Sequence, residues 1–547
     1  MKRFIYIISA AALSLTAGAQ ELTQLTANDA AARDTFASAL SIRGGSVLAG
    51  APHAKPSGTD SGAAYVLVGN GSSWSQQAKI NPADGKAQDL FGVAVSVTND
   101  TALISAPGDD LVDGSGSNEG SAYVFKRSGS TWSQESKLTA SDAASGDAFG
   151  LAVSLDANTA VVGAPYDDDA GADSGSVYVF TRSGTIWSQQ AKITPADGAP
   201  GDLFGSALAI QGDTLVIGSH RDDDVLANSG SVYVFVRSGS TWSQQAKLGA
   251  STPGTNDAFG RAVSLSGETL VAAASQDDDL GINSGSVFVF TRTGVVWTEQ
   301  AKLQASDGDT RDSFGASVSL DVDTLVVGAG GNSDSGTSSG SSYLFVGAGA
   351  SWTEAQKWTP TESAAADFFG SAVAIHQNQA VIGSGWDDDD GINSGSAHIF
   401  WAATAPPAFC TSKPSSIPGC VPSITAPAAT ASLSGGSGSF NLQCGPIPGG
   451  SNVGIFIFST SALAANPAST PFGSLCLAGF SRGTASFAGG TAGTCTGNLL
   501  WNLGALLPTL SGVQAGSVFS VQAWYRDPPV GPAGANFSNG VRFLVTP

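Results

Sequence analysis

Runs of aspartate recur along the chain, close enough together to gather carboxylates around a cation. They read Asp167-Asp168-Asp169, Asp222-Asp223-Asp224, Asp277-Asp278-Asp279 and Asp387 to Asp390, with a shorter pair at Asp109-Asp110 and a lone Asp334. Adjacent carboxylates repel unless solvated, hydrogen-bonded or metal-bound. Hard oxygen ligands at close spacing suit Ca2+. Asp109, Asp110, Asp167, Asp168, Asp169, Asp222, Asp223, Asp224, Asp277, Asp278, Asp279, Asp387, Asp388 and Asp389 are therefore candidate Ca2+ ligands. The same residues, beside Asn and Gly, suit turns in which Asp caps its own backbone. Both readings stay open, since no EF-hand spacing accompanies the runs.

The residue ahead of each run varies: Tyr166, Arg221 after His220, Gln276 and Trp386. Exposed variable side chains on a repeated loop could contact a ligand, for example by stacking on a sugar. Tyr166, His220, Arg221 and Trp386 are the candidates, against the alternative that they pack on neighbouring loop residues. A second acidic set precedes each Phe-Gly pair, as in Asp142 and Asp147, Asp197 and Asp202, Asp307 and Asp312, with Asp257 and Asp367 standing alone. Catalysis finds little footing. The four histidines include His376 and His398 inside strand patterns, and no G-x-S-x-G, H-E-x-x-H, P-loop or dinucleotide motif occurs. Paired carboxylates could serve glycoside hydrolysis, but an active site is a unique constellation and these pairs recur.

A strict internal repeat positions all of them. Phe-Gly stands at 91, 149, 204, 259, 314 and 369, with Phe36-Ala37 as a degenerate first copy, at spacings of 55, 58, 55, 55, 55 and 55. Ser-Gly turns follow, then Trp74, Trp132, Trp187, Trp242, Trp297 and Trp352. A Trp at one strand position in six of the seven units reads as packing between units. Each unit carries four short strand patterns; in the third copy they are 150–155, 159–163, 176–182 and 187–193. Four strands per unit, seven times over, is the signature of a β-propeller. The seventh copy breaks off after Trp401, and the segment near Leu22–Thr26 matches the missing strand, so it is expected to close the ring. In such a blade the second-to-third loop and the loop into the next blade emerge on one side, which gathers both acidic sets on one face.

Phe149-Gly150, then Val162 to Pro165, then Ser174 to Phe180 resembles the FG-GAP repeat of integrin α-subunit propellers and their bacterial relatives. The resemblance covers residues 21–401 and implies a seven-bladed propeller used for extracellular binding, often near bound Ca2+. Integrin-type repeats carry their calcium loop between the first and second strands. Here that place holds tight turns such as Asp156–Thr159, so the family's ligands do not carry over.

The remaining features set the context. Lys2 and Arg3, an apolar run from Phe4 to Leu15 and the small residues Ala17-Gly18-Ala19 read as a signal peptide over 1–19. The propeller is assigned to 20–404, a Pro/Ser/Thr-rich linker to 405–424 and a β-sandwich-like domain to 425–547. The fold class is thus all-β. A formal net charge of −21 disfavours nucleic acid and anionic membrane as partners. All five cysteines follow residue 405, and sequence proximity favours Cys410 with Cys420 and Cys476 with Cys495. The expectation is a secreted or surface-displayed adhesion protein that acts as a monomer and takes an extracellular protein or glycan, with Ca2+ as its one candidate cofactor. A structural envelope component and a polysaccharide-acting enzyme are the alternatives.

Overall fold

The computed structural model describes residues 21–111 and 116–402, and the backbone of strands between 423 and 546. No helix occurs among these residues. The leader (1–19), residues 405–422 of the linker, Cys410, Cys420 and Cys495 lie outside them, as do the side chains beyond 402, those of Cys444 and Cys476 included, while the end of the linker enters the strand Ser423–Thr425. The C-terminal strands pair into sheets of four, five and two.

Residues 21–402 form seven four-stranded antiparallel sheets arranged as propeller blades. In the third blade the strands run Ala152–Asp156, Thr159–Ala164, Ser176–Ser183 and Ile186–Ile193, from the axis outward. The innermost strands neighbour one another around the ring, and Ala39–Arg43 of the first blade lies against Ala372–His376 of the seventh. Serines stitch them together: Ser41, Ser96, Ser154, Ser264 and Ser319 each accept a backbone N–H from the next inner strand at 3.0 to 3.1 Å.

Alternation along the strands explains the packing. The second strands are short, apolar and almost entirely buried, as expected for strands covered on both faces. The Phe of each Phe-Gly pair is wholly buried between blades and meets an aromatic of the third strand edge-to-face, as Phe149 does Tyr178 at 5.4 Å. Each such burial contributes about 1.5–3 kcal/mol.

The outer strands couple the blades through a bulge. The register slips between Val179 and Phe180, which leaves Gln190 unpaired on the outer strand. A bulge re-aims its side chain, and the Gln190 carbonyl oxygen accepts the Trp242 indole N–H of the next blade at 3.1 Å. Glu135 and Gln245, at equivalent slips, accept from Trp187 and Trp297. Arg182, Arg237 and Arg292 lie over these indoles at 5.1 to 5.3 Å. The Trp series is inter-blade packing.

Glu21–Leu25 is the fourth strand of the seventh sheet, antiparallel to Ser396–Trp401, with Leu25 opposite Ala397. Without it the Ser396–Trp401 ladder would end in open hydrogen-bonding groups.

Candidate functional site

Each aspartate run begins where a buried second strand ends, and its first residue turns inward. Asp167 is 3 % exposed, and Asp109, Asp222, Asp277 and Asp387 are buried alike. The loop closes on its own backbone. Gly175 N–H donates to the Asp167 carbonyl at 2.9 Å, and the Asp168 carboxylate accepts the Asp173 N–H at 2.8 Å. Asp278 and Asp388 accept from Asn283 and Asn393 in the same way, and Asp110 from Asn118 and Gly116. Asp110, Asp168, Asp278 and Asp388 are turn caps. Gly175 itself cannot be replaced cheaply: φ is +86°, and a Cβ there would lie 2.1 Å from the Phe204 carbonyl oxygen of the next blade.

The first and third aspartates meet a lysine. Lys192 on the outer strand stands 2.9 Å from Asp167 and 2.8 Å from Asp142, and it also pairs with Asp169. It therefore joins both acidic loops on one face. The Tyr178 hydroxyl lies 2.8 Å from Asp167 and 2.9 Å from Asp142. Burial pushes the Asp167 carboxyl up, but Lys192, Tyr178 and the Asp169 N–H together hold it below the usual range. Lys137 pairs with Asp109 and Asp84, Lys247 with Asp222, Asp197 and Asp224, and Lys357 with Asp307 and Asp334. The fifth blade makes a matched exchange. Phe288 replaces the tyrosine and Thr252 replaces the outer aspartate, while Lys302 keeps Asp277 and Asp279 at 2.7 and 2.6 Å.

Two residues before each Phe sits another buried aspartate: Asp34, Asp89, Asp147, Asp202, Asp257, Asp312 and Asp367. In six of the seven a carboxylate oxygen accepts the backbone N–H three residues earlier, as Asp202 does from Ala199 at 2.8 Å. Burial is the largest influence on each and pushes the carboxyl up, to about 6 for Asp89 and Asp202.

Above this layer stand the variable side chains. Tyr166 and Trp386 are 39 % and 51 % exposed, and Trp386 lies 6.1 Å from the Phe368 ring. Arg221 and Gln276 are exposed; His220 is half-buried, its Nδ1 2.8 Å from the Ser206 hydroxyl. Of the four candidates, Trp386 has an aromatic neighbour and His220 a hydrogen bond.

The FG-GAP repeat profile matches seven times, at residues 20–67, 74–125, 132–180, 187–235, 242–290, 297–345 and 352–400. The chain belongs to the FG-GAP repeat family. The matched unit begins on an outer strand and ends on the third strand of the next blade, so the first copy supplies the strand that the seventh blade lacks. Among solved structures the chain resembles Sqt1 of Saccharomyces cerevisiae, at 11% identity and a TM-score of 0.39, over 67% of this chain and 83% of that one. No curated protein matches.

In this FG-GAP propeller the seventh blade departs from the lysine pattern. Gln24 takes the lysine's place, 3.4 Å from Asp387 and 3.1 Å from Asp389, and His398 replaces the tyrosine. His398 Nδ1 is 2.8 Å from the Glu21 carboxylate and its Nε2 2.9 Å from the Ser396 hydroxyl, which also bonds Asp387. Burial pushes Glu21 up, yet His398 and the two Thr361 donors hold it at about 2.

The lysines went unassigned at the level of sequence, although the signal was there. A lysine stands five residues after every Trp of the series. Among the described residues no group of three or more His, Cys, Asp or Glu side chains is arranged to hold a metal ion. Asp110, Asp168, Asp278 and Asp388 accept backbone N–H groups of their own loops, and lysine is a partner that neither reading included.

Proposed function

We propose that this FG-GAP protein is an exported, non-catalytic binding module that presents the loop face of its propeller to an extracellular ligand. One observation carries the reading. The scaffold beneath that face is repeated almost residue for residue, while the exposed position above it changes from Tyr166 to Arg221, Gln276 and Trp386. Repetition serves the fold; variation at exposed loop positions serves recognition. The FG-GAP fold accords with a binding role, and such repeats are typical of extracellular proteins.

Calcium is not required in this reading. A Ca2+ ion at Asp167 and Asp169 would have to displace Lys192, which already supplies the positive charge. Nor is catalysis. Ser396, His398 and Glu21 form a hydroxyl–imidazole–carboxylate chain, but Ser396 is wholly buried and His398 is 2 % exposed, which leaves no approach for a substrate. The test is a binding screen of the full chain against extracellular glycans and proteins. Saturable binding to one of them supports the proposal. No binding, together with self-assembly into ordered arrays, would favour a structural envelope role.

A further inference from the structure

On the acidic face the boundary between the fourth and fifth blades carries two arginines, Arg221 and Arg261. The blades touch there backbone to backbone: a Cβ on Gly218 would lie 2.1 Å from the Gly260 carbonyl oxygen. Arg261 follows Gly260, and His220 and Arg221 follow Gly218 by two and three residues. The repeat fixes where the side chain at position 220 points. Its counterparts in the sixth and seventh blades are Gly330 and Gly385, and a Cβ built on them lies 3.7 Å from the Ser371 Cα and 3.3 Å from Ser38, the counterparts of Arg261. The root of the His220 side chain thus lies beside Arg261, while its ring turns to Ser206. By the same rule Pro165, beside Tyr166, faces Ser206, which bonds His220 at 2.8 Å.

Arg221 and Arg261 are both exposed, and among the described residues neither makes an ion pair or a hydrogen bond through its side chain. Asp222, the acid next to Arg221, is turned inward to Lys247 at 2.8 Å. Burial, followed by the charges of Arg261 and Arg221, lowers His220 to about 4, so it is neutral at physiological pH and adds no third charge. Two unpaired guanidinium groups flanking one boundary match the fork geometry of an oxyanion. The exposed Asp168, Asp223 and Asp278 on the same face would repel a densely charged polyanion. A single negative charge on an otherwise neutral ligand fits, and the exposed Tyr166 ring on the adjoining loop suits a sugar.

We propose that Arg221 and Arg261 form a carboxylate-binding site whose ligand is a glycan bearing a uronate, with its sugar ring laid against Tyr166. This rests on the reading of the loop face as a binding surface. The full chain is titrated calorimetrically with a methyl glucuronide, the neutral methyl glucoside, acetate and a peptide with a free C-terminal carboxylate. The glucuronide should bind and the glucoside should not. Arg221→Ala and Arg261→Ala should each weaken glucuronide binding about 10-fold, the order expected for a lost charged hydrogen bond. Tyr166→Ala should weaken the glucuronide but not acetate. Arg261→Gln keeps the side-chain stem and repeats the test should the alanine variant melt early. Failure of the glucuronide to bind, binding indifferent to both arginines, or tighter binding of the peptide would overturn the assignment. A glycan or protein ligand lost on Trp386→Ala but kept in both arginine variants would sink this site and leave the binding role standing.

Discussion

The ammonium of Lys192 lies 2.9 Å from the carboxylate of Asp167, a buried acid on the loop that precedes it by two strands. That contact sets a cation among a run of mutually repelling carboxylates beneath the loop face. Lys192→Met would strand Asp167 without its cation. Breaking a buried pair costs about 3–5 kcal/mol, and the partial exposure of Lys192 should bring this to the lower end. Thermal melting should register a clear loss, with part of it recovered in the double variant Lys192→Met/Asp167→Asn. Equal melting temperatures for the single variant and the parent would remove the lysine from the account.

Calcium should then have little to do. The melting temperature in excess EDTA and in millimolar Ca2+ should agree, and Asp223→Asn should melt like the parent. A calcium-dependent rise that Asp167→Asn abolishes would restore the aspartate runs as metal sites.

Much of this organisation was legible in the sequence. The Phe-Gly period gave the blades because each Phe fills the same inter-blade space. The strand near Leu22–Thr26 could be matched to the seventh blade because it repeats the outer-strand pattern. The lysine partnerships were not legible. Lys192 meets acids 25 and 50 residues away, and such pairs become neighbours only once the outer strand lies beside the third and the blade beside the preceding loop. The Arg221–Arg261 rim was hidden for a related reason, since its two residues belong to different blades and different segments of the repeat.

Stability should rise on mild acidification. The buried aspartates before each Phe are held above their unfolded value of 3.8, to about 6 at Asp89 and Asp202. Between those limits the folded chain binds more protons than the unfolded one, so these groups stabilise it as pH falls from about 7 towards 4 and lose that effect as pH rises through 6. The lysine-paired Asp29, Asp84, Asp142, Asp197 and Asp307 are held low and act oppositely, losing their contribution below 3.8. The melting temperature should therefore be higher at pH 5 than at pH 7.5 and fall below pH 4. Asp202→Asn should shrink the gain between pH 7.5 and 5. An unchanged gain would assign the effect to net charge alone.

The closing strand should be held by its buried pair. Glu21→Ala leaves His398 and the two Thr361 donors without their acceptor. The Thr361 donors are exposed and turn to water, but His398 is buried, and leaving a buried hydrogen-bonding group unsatisfied costs about 1–3 kcal/mol, so a lower melting temperature is expected. Deletion of residues 21–25 should go further, exposing the Ser396–Trp401 edge and producing concentration-dependent oligomers on size-exclusion chromatography. A fully monomeric deletion variant with unchanged melting would mean that the ring does not depend on this strand.

The claim that one face of the propeller carries recognition is tested most directly by comparing two triple variants against the ligand returned by the binding screen. Tyr166→Ala/Arg221→Ala/Trp386→Ala strips the loop face, and Ile186→Ala/Val296→Ala/Val322→Ala strips exposed residues at the opposite turns. Binding should drop at least tenfold in the first and persist in the second, with both variants folded by thermal melting. Retained binding in the first, or its loss in the second, would contradict the account.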